Sequence, residues 1–233
     1  MIVAAAVCPG APFLIPGVAE PLVRESADLL AACTQAVRTL AHADRIVVIA
    51  TGRRSIRYPA GTVTSQVASS PLGRGDLAVR ERRPALAVGS IVGQALLARA
   101  FPDGVPVPVD LVETGGEPVT DDACARHGAA GREALLVIAD GAATHGDHAP
   151  GRRDDRAAPF DDGLAAALTG GDPAGLGRAC ADQDLARALL AAVTPLAVLA
   201  RLVGDRPPTA ADLLFRGSPY GVGYLVASWR WAG

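Results

Sequence analysis

Lysine is absent: all 22 basic side chains of this 233-residue chain are arginine. Histidine and cysteine number four each, methionine one, and aromatic residues make up 4%. Each shortage excludes something. Cys8, Cys33, Cys124 and Cys180 are far apart, with no CxxC pair, so neither a zinc finger nor a dense disulfide framework fits. Free, mostly buried thiols in a reducing cytoplasm follow from that spacing. Four histidines argue against a histidine-rich metal protein. No apolar run reaches the roughly 18–20 residues of a membrane helix. Residues 1–7 lack a basic flank and read as a buried strand rather than a signal peptide. A net charge of −2, without interleaved basic and aromatic residues, offers no field or stacking platform for nucleic acid or an anionic membrane.

What is present is a globular core. Half the residues are hydrophobic and 20% are charged, at a length suited to one domain spanning 1–233. The excess of Ala, Arg, Gly and Pro beside missing lysine points to GC-rich coding DNA and a bacterial source. Residues 2–7, 45–50 and 135–139 are continuous apolar runs, as in strands buried on both faces. Residues 18–41 carry helical spacing, so the first fifty residues form a β-α-β unit with two parallel strands. Residues 51–84 are less regular, with β-like pieces at 62–67 and 77–79. A helix is expected over 84–101, then an extended piece over 105–112 that Pro106 and Pro108 confine to a sheet edge or the run-up to a strand. A short helix is expected over 120–130 and others at 159–168, 173–180 and 185–202, the last divided at Thr194-Pro195, which reads as a fresh cap with an N1 proline. Two closing strands fall at 213–216 and 222–231. The fold class is α/β: a three-layer α/β/α sandwich with a mostly parallel or mixed central sheet.

Ligands in such sheets collect beyond the carboxyl ends of strands. Three loops qualify: 8–17, 51–61 and 140–150. The third reads Asp140-Gly141-Ala142-Ala143-Thr144-His145-Gly146-Asp147-His148 and invites three readings. His145 can act as a general acid/base oriented by Asp140 or Asp147. His145 and His148 can be metal ligands with a carboxylate. Otherwise this is a solvated polar loop. The second loop holds Arg53, Arg54 and Arg57 with Tyr58: either a clamp for a carboxylate or phosphate, or a basic surface. Cys8 is either a nucleophile or, as most free cysteines are, buried and inert. Asp154 and Asp155 with Arg152, Arg153 and Arg156 read as an ion-pair turn. Nothing matches a phosphate-binding loop, a dinucleotide fingerprint or a hydrolase elbow.

Five segments in order extend the reading: Ala4-Ala5-Ala6-Val7-Cys8-Pro9-Gly10-Ala11-Pro12-Phe13-Leu14-Ile15-Pro16, the strand at 46–50 with its loop, Asp140-Gly141 through Thr144-His145, Ala158-Pro159-Phe160-Asp161, and Pro219-Tyr220-Gly221-Val222-Gly223-Tyr224. In this order the chain resembles, along its whole length, the class III extradiol ring-cleavage dioxygenase B-subunit-like proteins. The resemblance implies an α/β sandwich holding non-haem Fe(II) by two histidines and a glutamate, with a further histidine as acid/base. Carried over by position, the first iron-ligand histidine is replaced by Gly10 and the second by Arg53. The acid/base histidine corresponds to His145, and no glutamate follows Glu133 to complete the set. The expectation is a divergent member without metal or other cofactor. It binds a small anionic or aromatic molecule through Gly10, Arg53, Arg54, Tyr220 and His148, with His145 and Asp140 as catalytic acid/base residues. The alternatives are a non-catalytic binding or scaffold protein on the same fold, and a metal-dependent oxygenase with a relocated ligand set. The expected partner is a small molecule; Tyr220, Tyr224, Trp229 and Trp231 either face a partner subunit in a homo-oligomer or, at least as favoured, pack in the core.

Overall fold

A computed structural model describes residues 1–18, 24–61, 86–115 and 131–232. The β-like pieces expected at 62–67 and 77–79 and the helix at 120–130 lie outside the described residues, as do Cys124 and His127.

Seven strands form one sheet in the order β3-β4-β2-β5-β1-β7-β6. They are β1 (Ile2–Cys8), β2 (Arg45–Thr51), β3 (Ile56–Tyr58), β4 (Val109–Thr114), β5 (Glu133–Ile138), β6 (Ala210–Gly217) and β7 (Tyr224–Arg230). The apolar runs of β1, β2 and β5 occupy the centre, where helices cover both faces and nearly all their apolar side chains are buried. β5 lies between β1 and β2 and is parallel to both, while β4 is parallel to β2. The flanking pairs β3–β4, β1–β7 and β6–β7 are antiparallel. The sheet is therefore mixed, parallel at its centre and antiparallel towards both edges.

Strand alternation divides the core in two. Val47, Ile49, Leu135 and Val137 pack against α3 (Ala157–Gly170), α4 (Pro173–Ala179), α5 (Gln183–Ala188) and α6 (Thr194–Val203). Ile46, Val48, Ala50, Leu136 and Ile138 pack against α1 (Arg24–Arg38) and α2 (Val88–Ala100). This three-layer sandwich is the architecture expected from the sequence. On α2, Gly89 lies against Ala50 and Ile138, and Gly93 against Val48, so missing side chains bring that helix close to the sheet.

Two local details differ from the sequence reading, β3 and the start of α6. Of the two places open to Pro106 and Pro108, the structure has the run-up to a strand: they precede β4 and leave its ladder intact, while β3, unforeseen within the second loop, pairs on the outer side of β4. Thr194 is not a side-chain cap: Val193 holds the N-cap position, with Pro195 in the first turn of α6. The break between α5 and α6 does occur, at Leu190 with φ 53°. Between α3 and α4, Gly171 takes φ 57° and Asp172 caps α4 by accepting from the Gly175 N–H at 2.8 Å. Asp172→Ala is expected to lower stability by about 1 kcal/mol, read from urea unfolding.

Candidate functional site

The parallel register places Cys8, Ile138 and Ala50 side by side, so the loops after β1, β5 and β2 emerge at one edge of the sheet. This is the carboxyl edge, where open α/β sheets bind ligands. Asp140 stands two residues beyond β5. Its backbone is held by reciprocal hydrogen bonds with Ala192, and its Oδ1 accepts the Gly10 N–H at 2.9 Å. Burial pushes the Asp140 carboxyl up to about 6, outweighing the Gly10 N–H, which pulls the other way.

Alternation along the chain then separates the expected catalytic pair. Ile138 belongs to the α1/α2 layer, and two residues on, the Asp140 carboxylate turns to the same side, beside Gly10. His145 goes to the opposite layer. Its Nε2 lies 2.6 Å from Oδ2 of Asp161, on α3, whose other oxygen accepts the Ala142 N–H at 2.9 Å. Asp140 therefore does not orient His145, and neither does exposed Asp147; Asp161 does. Burial raises the Asp161 pKa, outweighing the Ala142 N–H and His145, both of which lower it. Two glycines make room: a Cβ at Gly141 or Gly223 would run into the Asp161 carboxylate. The loop is stitched in place by Gly141 N–H to Gly223 O, Gly223 N–H to Ala142 O and His145 N–H to Gly221 O.

Sequence reasoning did not find Asp161, although a signal exists. It falls on the apolar stripe of α3, in line with Ala157, Ala165 and Leu168, all buried. A carboxylate there has to be paired. Its neighbour Asp162 faces outward and pairs with Arg216. Tyr224, buried at the start of β7, was also missed as a site residue. Burial raises its pKa, and the charge of Asp140 adds to the rise.

The remaining candidates scatter along the edge. Arg53 and Arg54 follow β2 and are exposed, while Arg57 turns away to Asp110. Burial would raise the Asp110 pKa, but Arg57, the Ala60 N–H and Arg45 together lower it. Arg57 thus closes a structural ion pair and leaves the expected clamp. His148 is exposed three residues beyond His145. Tyr220 is 42% exposed and meets Phe13 edge-on at 5.5 Å between ring centres. Cys8 is fully buried, and burial followed by the adjacent Cys33 pushes its thiol well up, against a role as nucleophile. A cavity of about 450 Å³ is lined by Asp147, Gly151, Arg152, Arg153 and Asp155, and not by His145 or Asp140.

These residues do not fit a non-haem iron centre. Gly10 contributes only a backbone N–H, already given to Asp140, and Arg53 is a guanidinium without a lone pair to donate. Among the described residues, no group of three His, Cys, Asp or Glu side chains could hold a metal ion. The relocated set also lacks support, since His145 Nε2 faces Asp161 while His148 lies exposed.

Among the described residues, no helix is long and apolar enough to cross a membrane. No protein-family model matches the chain, and no curated protein does. Among solved structures it is similar to an uncharacterized protein, JW3007, of Escherichia coli K12: 14% identity, a TM-score of 0.55, and coverage of 97% of this chain and 99% of that one. Likeness at that identity shows the fold alone.

Proposed function

We propose that this chain is a remodelled, metal-free relative of the class III extradiol dioxygenase B-subunit-like proteins. It binds a small aromatic molecule at the carboxyl edge of its sheet, with Arg53 and Arg54 available to an anionic group, and moves a proton through His145. The observation that carries the reading is the 2.6 Å contact between His145 Nε2 and Asp161, itself buried and backed by the Ala142 N–H. A carboxylate so placed fixes the imidazole's orientation and tautomer, as a general base requires. The ring's Nδ1 has no hydrogen-bond partner among the described residues, which leaves it for the substrate. Asp161 acts through His145 and is a positioning residue.

Phenylpyruvate tests this, being aromatic, anionic and exchangeable at its benzylic carbon through an enol. The protein is expected to speed exchange of that proton in D2O, followed by NMR. His145→Ala should slow the catalysed exchange by roughly 100-fold, and Asp161→Asn should slow it and alter its pH profile. No acceleration by the unmutated protein would sink the proton-transfer reading. Metal analysis should find substoichiometric iron, with no oxygen uptake on catechol; stoichiometric iron with uptake would overturn the metal-free reading.

A second reading rests on the hydrogen bonds that stitch the 141–145 loop to the Gly221–Gly223 turn. There the His145–Asp161 pair pins a loop and does no chemistry. It predicts that His145→Ala lowers the melting temperature while exchange is slow with or without the substitution.

A further inference from the structure

The Asp140 carboxylate is unusual in what surrounds it. Its Oδ1 has one donor, the Gly10 N–H, and its Oδ2 has no hydrogen-bond partner among the described residues. Arginine is plentiful in this chain, yet among the described residues none is placed to lower the carboxyl's pKa. A Cβ at Gly10 would come within 2.9 Å of Oδ2, so glycine there keeps the approach to that oxygen clear. Each neighbouring element can be asked for a counter-charge. β7 brings the Tyr224 hydroxyl, and the turn before it brings Tyr220. β5 and α2 bring Ile138 and Gly89, and β1 and α1 bring the buried thiols Cys8 and Cys33. Glu113 of β4 is engaged with the Ala87 N–H and the Ser90 hydroxyl, each at 2.7 Å. No described element supplies a cation.

An aromatic cluster stands close by, since the Asp140 charge bears on Tyr224. Phe13 meets Tyr220 at 5.5 Å and Tyr224 at 6.0 Å, both edge-on. Tyr220 is held there against its backbone preference. Its φ of 61° is rare for a tyrosine, and its hydroxyl is tied to that of buried Ser26 at 3.2 Å. A strained, exposed ring next to Tyr224, which itself feels the Asp140 charge, is a costly arrangement, and such costs gather where ligands bind.

We propose that this cluster binds an organic cation, whose ammonium group pairs with Asp140 and whose carbon skeleton lies against Phe13 and Tyr220, the rings of the cluster that reach the surface. Aromatic faces attract cations through the ring quadrupole, and a desolvated carboxylate supplies the charge. A hard metal cation would need six or more oxygen ligands and finds one carboxylate. An anion would meet uncompensated negative charge. The inference shares with the proposed function only the placement of a ligand at the carboxyl edge. It does not depend on His145, which lies in the other layer.

Benzyltrimethylammonium is the probe, because its charge does not titrate; benzyl alcohol and benzoate are its neutral and anionic controls. Calorimetric titration at pH 7.5 is expected to show saturable binding of the cation, weaker binding of the alcohol and none of benzoate. Asp140→Asn should weaken cation binding at least about tenfold, and Tyr220→Ala several-fold, with circular dichroism confirming that both variants are folded. Below pH 6 the affinity should fall by roughly tenfold per pH unit as Asp140 takes up its proton. Cation binding and proton exchange are separate readouts, so a failure of the proton-transfer reading leaves this result standing. Equal binding by Asp140→Asn, preference for benzoate, or no saturable binding at millimolar concentration would each overturn the inference.

Discussion

Asp140→Asn is expected to stabilise the ligand-free protein by about 2–3 kcal/mol at pH 7.5 and to change it little at pH 4. The Asp140 carboxyl titrates near 3.8 when unfolded and is pushed up to about 6 in the fold by burial. Its folded pKa is raised, so its contribution is fully present below pH 3.8 and lost as pH rises through 6. Across that window the folded state binds more protons than the unfolded state, and stability falls. At roughly 1.4 kcal/mol per unit of pKa, the difference amounts to about 3 kcal/mol once the carboxylate is ionised. Asparagine keeps an oxygen for the Gly10 N–H and carries no charge at either pH. Urea unfolding at the two pH values checks this. Equal effects at both would mean that burial does not penalise the Asp140 charge. A residue whose removal stabilises the fold is one retained for another reason, and the cation site is the reason proposed here.

Gly223→Ala should act in the opposite direction, costing about 3 kcal/mol or more. The added Cβ would overlap the Asp161 carboxylate and come within 3.2 Å of His145 Nε2. Asp161 cannot withdraw without giving up the Ala142 N–H, and a buried donor left unpaired adds its own cost. Since the clash is with one side chain, the loss should shrink sharply in an Asp161→Ala background. A double-mutant cycle by thermal melting reads that coupling. Additive losses would show that Gly223 is required for its backbone alone.

Much of the fold was legible along the chain. The runs in β1, β2 and β5 are long, apolar and ended by polar or turn residues, so local pattern and burial agree. The helices of the second half carry their own stop signals, such as Gly171 and the break before Pro195. β3 was not legible, because three residues paired to β4 carry too little periodicity to stand out from a loop. The carboxyl-edge location of the candidate residues followed from β-α-β topology. Their grouping did not.

Sequence alone settled the α/β layering and the absence of donor side chains at Gly10 and Arg53, because both depend only on residue type and local periodicity. It could not say which carboxylate serves His145. Asp140 is five positions away and Asp161 sixteen, and nearness along the chain favoured the wrong one. Residues 138 and 140 turn to one face of the sheet while α3 packs on the other, so only the packing of that helix brings Asp161 to the imidazole. The same packing leaves Asp140 with the Gly10 N–H and an aromatic cluster near Tyr224, a carboxylate without a counter-charge among the described residues.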